Sequence, residues 1–397
     1  MPKLRISWNE YRRRVERLRK HMREEEFDAY LITSGVSIFY FSHFYHMVTE
    51  RPAALLVEPD GKPVFMGPLL EADHLRLQTP LVGDCYTYLD YPGEKHPMKR
   101  FADWLTDLGY DKARIGTDNP SGVGGTMGYT GPNLNDLLEE AELVKDGQFI
   151  WDMRLVKSSE EIELIRESSK WANLAHTYLQ EYTVPGLYDM EIKLLATLDA
   201  TSALKKTLGS KYESIKGKAV SAGFRGQVGW KSAIPHSIDL GRPVKEGDVL
   251  VTGAGADIGG YGSELERTMF IGEPTAKMER MFKVMCEAQE AAADALRPGN
   301  TCADVDKAAN KVIRKAGYWE NVKHHTGHGI GLQGHEPPYL DQGNDRNLKP
   351  GMVVSLEPGV YELDYAGFRH SDTLVVNEDG CEWVTYYPRD IESLIIL

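Results

Sequence analysis

Three stretches of this sequence set acidic and imidazole side chains among apolar strand candidates. Val249–Phe270 carries Asp257, Glu264 and Glu266 around a glycine-rich turn, and Pro235-His236 precedes it. The run HHTGHGIGLQGHEPP at 324–338 holds four histidines within twelve positions. Glu357 follows the apolar run Val353-Val354-Ser355-Leu356 and precedes Pro358. A carboxylate at the end of such a strand is partly buried, and burying it without a partner is expensive. Imidazole serves as a general base and acid near neutral pH, and also as a metal ligand. Gly327 and Gly329, beside His328, let backbone approach a bound group closely. Taken together, the histidine run and Glu357 predict a site, whereas each residue alone reads as an ordinary surface or core residue.

The elements that position these residues are legible in outline. Val249–Val251 is a short buried strand, and Gly259-Gly260 marks a hairpin turn before Tyr261–Phe270. Upstream, Trp8–Glu26 has Tyr11, Val15, Leu18 and Met22 at helical spacing with Arg and Glu between them. Strands are expected at Ala29–Thr33, Ala53–Glu58, Pro63–Gly67 and Arg114–Gly116, and helices at Phe101–Leu108 and Leu134–Glu140. This alternation predicts an α/β domain over residues 1–155. Lys157-Ser-Ser-Glu-Glu then starts a long helix with the pattern of a capping box and opens a second domain, 156–397. Further helices are predicted at Met190–Leu208, Lys277–Leu296 and Cys302–Ala316, and late strands at Val353–Leu356, Thr373–Val376 and Trp383–Thr385.

With 397 residues and 42% hydrophobic content, the chain is long enough for two cores. A net charge of −13 argues against nucleic acid as a partner, because phosphate binding needs a basic surface. Cys85, Cys286, Cys302 and Cys381 lack paired spacing and read as reduced thiols. No signal-peptide core and no 18-residue apolar run occur, so a cytoplasmic location without a membrane partner is expected.

The motifs GHGIGLQGHEPP, MVVSLEPGVY and GYGSELERTMF together resemble the creatinase/prolidase/methionine-aminopeptidase superfamily. RLVKSSEEIELIR and LRPGNTCADV fit the same family, and the resemblance spans nearly the whole chain. It implies an α/β (α+β) chain: a creatinase/prolidase-type N-terminal domain followed by a pita-bread catalytic domain. Metalloenzymes of the family hold two divalent ions with two Asp, one His and two Glu. Laid on this sequence, that pattern retains His328 and Glu357, lengthens the second Asp to Glu264, and finds Gly253 and Ser371 at the other two positions. Asp257 and Asp372 lie nearby but off the ligand positions.

The resemblance therefore points first to the creatinase-like branch, which works without metal. In that reading the chain is a hydrolase cleaving a C–N bond of a small amidine, guanidino or amino-acid-derived compound. His236 is the general base and acid, Glu266 and Glu357 hold a cationic substrate group, and His328 completes the catalytic set. Arg51, Tyr261, Glu264, His335 and Arg369 are the expected substrate-binding residues. Arg51 would reach the active site of a neighbouring subunit in a homodimer. No cofactor is expected. Two alternatives stand beside it. One is a metal-dependent Xaa-Pro dipeptidase or aminopeptidase with altered ligands, in which Glu264, His328 and Glu357 hold Mn, Co or Zn. The other is a non-catalytic binding protein on the same scaffold.

Overall fold

The computed structural model describes residues 4–124, 127–217, 219–238 and 241–397. The chain divides into two compact units, one formed by Ile6–Arg154 and the other chiefly by Leu155–Leu397.

In the first unit the apolar runs become a six-stranded mixed sheet. Its order is Cys85–Tyr88, Val64–Pro68, Ala54–Val57, Ala29–Ile32, Arg114–Thr117, Glu142–Lys145. Ala29–Ile32, Ala54–Val57 and Val64–Pro68 are buried along their whole length, which is why they read as continuous apolar runs rather than alternating ones. Trp8–Glu24 lays Tyr11, Val15, Leu18 and Met22 inward as the spacing predicts, with Ser7 as its N-cap. The aromatic stretch after Ser34 forms a helix, Gly35–Ser42, whose Phe39, Tyr40 and Phe41 are core. The edge strands Cys85–Tyr88 and Glu142–Lys145 had no clear sequence signal, because their half-buried positions carry mixed polarity.

The second unit opens on the long helix predicted from Lys157-Ser-Ser-Glu-Glu, preceded by a shorter helix that the sequence had not signalled. Gly147–Leu155 ends at an extended link, and Ser158 and Glu161 form a capping box that opens Ser159–Tyr182. Ile165, Ala172, Ala175 and Leu179 of the latter are fully buried. Helices Asp189–Leu208, Ala276–Ala295 and Cys302–Lys315 match the predicted stretches within about two residues, the usual uncertainty of helix ends. A nine-stranded sheet carries the path Tyr261–Gly262, Gly253–Ile258, Leu265–Glu266, Ser371–Val376, Val353–Leu356, Gly327–Gly329, Glu336–Leu340.

The Val249–Phe270 hairpin holds one register throughout. Ile258 pairs with Tyr261, Asp257 with Gly262, Ala254 with Leu265 and Val251 with Thr268. Gly259 and Gly260 turn the chain with φ of 59° and 90°, the positive values a two-residue type I′ loop needs. Asp257 is a turn residue; its carboxylate accepts from the Gly260 N–H at 3.2 Å. The predicted unbroken strand Tyr261–Phe270 is interrupted near the site. There the Ser263 and Glu264 N–H groups donate to the Ser168 and Thr373 hydroxyls, at 2.9 and 2.8 Å, instead of to backbone carbonyls of a neighbouring strand.

A buried ion pair anchors this hairpin to the last long strand. Both terminal nitrogens of Arg267 reach Asp372, at 3.1 and 2.8 Å, and both side chains are fully buried. The carboxylate also accepts from Thr385 Oγ1 at 2.6 Å and Gln289 Nε2 at 3.0 Å. Asp372 is thus committed to the scaffold.

Two wholly buried histidines flank the same region and give the fold an acid-sensitive element. Burial, with the Arg267 charge next, pushes His176 down to about 3 and His370 well below the usual range. Unfolding returns both rings to water, where they take up protons around pH 6.5. Between about pH 6.5 and 3 the unfolded chain therefore binds the extra protons, and stability falls as pH falls. The expected slope is roughly 1.4 kcal/mol per pH unit for each histidine. His176→Gln should flatten the decline in urea midpoint between pH 6.5 and 4, and an unchanged slope would refute this assignment.

Candidate active site

The family ligand positions meet on the central sheet of the second unit. The hairpin register sets Gly253 opposite Glu266, and pairing with the last strand sets Glu266 opposite Ser371. His328 lies opposite Ser355, and Glu357 follows the same strand. A cavity of about 610 Å³ opens there, lined among others by Arg225, His236, Glu264, Glu266, Glu357 and Arg369. His335, His324, His325 and Lys323 complete its polar wall. His328 sits fully buried behind it, stacked on His335 with ring centroids 3.7 Å apart.

Each of the three carboxylates already has partners. Glu264 Oε1 accepts from the Ser355 and Ser371 hydroxyls, both at 2.7 Å, and those hydroxyls are 2.6 Å apart. Glu357 Oε1 lies 3.3 Å from His328 Nε2, and its Oε2 lies 3.8 Å from Arg369 Nε. Glu266 is gripped from two sides: Arg369 Nε donates to Oε2, and Arg225 Nη2 donates to Oε1 at 3.1 Å. Arg369 is spent in full, since its remaining nitrogens reach Tyr361 Oη and Gln227 Oε1, both at 3.2 Å, and Pro235 O at 3.5 Å.

These contacts set the electrostatics. Burial would lower His328, but the Glu357 contact and the Glu264 charge outweigh it and push the ring up to about 9. Burial would raise Glu357, but His328 and Arg369 bring it down to about 2. Burial pushes Glu266 up, opposed by the Arg369 guanidinium. Burial lowers His324, whose Nε2 meets Tyr361 Oη at 2.8 Å.

Glu266 and Glu357, the residues expected to hold a cationic substrate group, are both already paired within the protein. Arg369, Arg225 and protonated His328 already stand against those carboxylates, so a further cation would face like charge. The other expected residues divide. His236, Glu264, His335 and Arg369 share the cavity wall with Glu266 and Glu357. Tyr261 does not join them: it is buried beside the hairpin turn, where its hydroxyl meets Glu161 Oε1 at 2.8 Å at the start of the long helix. Arg51 belongs to the other unit and there pairs with Asp90 at 3.0 Å and Glu50 at 2.6 Å. Sequence reasoning missed Arg225, Lys323 and Ser355. A basic residue in the glycine-flanked phrase Gly223-Phe-Arg-Gly was the one signal that could have drawn attention to Arg225.

Whether the site suits two metal ions can be tested on its donors. Two dications in contact need bridging carboxylates to offset their repulsion. Position 253 has no side chain, position 371 offers a hydroxyl, and Glu266 is neutralised by two guanidinium groups. A pair of ions does not fit. One ion does. Donor atoms of Glu264, His328 and His335 lie within 4.8 Å of one another. His328 Nδ1 faces the Gly329 carbonyl at 3.0 Å, and Nε2 is buried without an aligned hydrogen bond, close to carboxylate oxygens. With the Nδ1 proton held by that carbonyl, either a proton or a cation is required at Nε2. A second triad, Glu264, Glu266 and Glu357, has the spacing but not the free charge.

The profile of metallopeptidase family M24 matches residues 163–378, and that of the creatinase/prolidase N-terminal domain matches 14–156. The chain belongs to metallopeptidase family M24. It is accordingly a hydrolase acting on C–N bonds. An Xaa-Pro dipeptidase of Lactobacillus helveticus is 29% identical over 391 residues, covering 96% of this chain and 99% of that protein. An Xaa-Pro dipeptidase of Pyrococcus furiosus is 27% identical over 379 residues, covering 95% and 99%. The crystal structure of a prolidase from Thermococcus sibiricus superposes with a TM-score of 0.81 at 25% identity, covering 98% of this chain and 99% of that one. These relatives favour the peptidase alternative over the amidine reading. No helix among the described residues is long and apolar enough to cross a membrane.

Proposed function

We propose that this protein hydrolyses the C–N bond of a short peptide of the Xaa-Pro type and does so without a pair of metal ions. The observation that carries the reading is the M24 cavity lined by His236 and the retained Glu357, with the retained His328 buried behind Glu357, while Glu266 is locked by arginines. The names of the relatives support the substrate class. The locked Glu266 counts against an amidinium substrate.

His236 is exposed on the cavity wall, where an imidazole can meet both substrate and water. It takes a proton from water as the water oxygen bonds to the carbonyl carbon, then returns that proton to the nitrogen as the C–N bond breaks. The buried His328–Glu357 pair and the Arg369 anchor fix the carboxylates, so the charge pattern around the reacting atoms does not need to reorganise. Glu264, His328 and His335 would hold one divalent ion, which when bound supplies Lewis acidity.

The test is turnover of Xaa-Pro dipeptides beside a panel of amidine and guanidino compounds. Release of proline from the dipeptides supports the reading. Turnover confined to the amidine panel would replace it with the creatinase-like one.

A further inference from the structure

Two charged residues of the second unit's motifs have no place in the cavity, and they meet each other. Lys157 of RLVKSSEEIELIR and Glu336 of GHGIGLQGHEPP form an ion pair, Nζ to Oε1 at 2.9 Å, with side chains 1% and 2% exposed. The backbone on both sides is fixed. The Lys157 N–H donates to Gly351 O at 2.8 Å, one residue before the capping box at Ser158. Glu336 opens the strand Glu336–Leu340 and pairs with Gly329. A buried ion pair adds little net stability over an apolar pair of similar volume, because desolvation offsets the attraction. What it supplies here is direction: it ties the start of the long helix to one point of the histidine loop.

That point adjoins His335. The ring of His335 is exposed on the cavity wall and stacks on His328, but its nitrogens make no hydrogen bond among the described residues. Its place is therefore set by the backbone of residues 330–336. Glu336 Oε2 accepts from the Gln333 N–H at 3.3 Å, and the Gly331 N–H donates to Gln333 O at 3.2 Å. Gly331 O accepts from the Gly262 N–H at 2.9 Å, two residues before Glu264. Gly331 lies directly against the ion pair: a Cβ there would stand 2.9 Å from Glu336 Oε1 and 3.1 Å from Lys157 Cε. One buried contact thus braces both the loop that presents His335 and its junction with the hairpin that presents Glu264.

We propose that Lys157 and Glu336 are positioning residues, whose buried ion pair sets residues 330–336 so that His335 stands with Glu264 and His328 as one three-donor site for a divalent ion. The inference rests on the single-ion form of the reading above. Both residues act through His335, and neither lines the cavity.

The test is Co(II) affinity of the full-length protein, titrated by visible absorption. Wild type should bind about one equivalent. Lys157→Met with Glu336→Leu removes both charges at similar volume, which preserves the fold. That pair should bind Co(II) about 10–100-fold more weakly, the usual loss when the support behind a ligand is removed. Lys157→Met with Glu336→Gln keeps an acceptor for the Gln333 N–H and should recover part of the affinity. Thermal melts check folding, and should the Leu pair fail to fold, the Gln pair carries the comparison with wild type. Unchanged affinity in the folded variants overturns the positioning role, whatever the dipeptide turnover. Absence of Co(II) binding by wild type overturns the single-ion reading instead. Crystal structures of wild type and variant then decide the positioning role: a His335 ring displaced from His328 in the variant supports it, and an unmoved ring overturns it.

Discussion

Alanine in place of Arg369 is expected to cost about 3–5 kcal/mol of folding stability and to abolish turnover. The guanidinium is 2% exposed and bonded to Glu266, Tyr361 and Gln227. Removing it leaves a buried carboxylate facing Glu264 and Glu357, with only the half-exposed Arg225 in compensation. Glu266, already pushed up by burial, would then take a proton, and the arrangement of charge at the cavity floor would be lost. Replacing both partners, as Arg369→Met with Glu266→Leu, should recover much of the stability, because no unpaired charge remains, and none of the activity. Chemical denaturation of the single and double variants reads this coupling directly. A loss below about 1 kcal/mol for Arg369→Ala would mean that the pair is not buried as described.

The second large effect is catalytic. His236→Ala should lower kcat by roughly 10²–10⁴-fold, the usual contribution of a positioned acid–base group. The ring is exposed, so the melting temperature should move little. This contrast separates His236 from Arg369, whose loss affects both quantities. A variant that keeps kcat within about tenfold of wild type would remove His236 from the chemistry.

Much of this arrangement was readable in the sequence, for identifiable reasons. Apolar runs such as Ala54–Val57 and Val353–Leu356 form strands because they are buried on both faces, and that burial fixes their composition. Glu264, His328, Glu357 and Arg369 stand in motifs whose order along the chain survives folding. What lay beyond the sequence was pairing at long range. Glu266 meets Arg369 from 103 residues away and Arg225 from 41 away, so nothing local marks it as an occupied carboxylate instead of an open one. The same limit explains Tyr261. Its place beside the hairpin turn follows from register, but its partner Glu161 lies 100 residues earlier, on a helix. Ser371 reads as the loss of a ligand. In the fold its hydroxyl, with that of Ser355, supports Glu264, so the position has changed role.

On the proposed reading, guanidinium and hydroxyl groups take the place of ligands for a second metal ion. Gly253 leaves room facing Glu266: a Cβ there would stand 3.6 Å from Glu266 Oε1 with nothing nearer. The most direct measurement is metal content per chain after equilibrium dialysis against Mn, Co or Zn, read by elemental analysis. The account predicts at most about one equivalent, held by Glu264, His328 and His335. About two equivalents, lost to chelator together with activity, would contradict it.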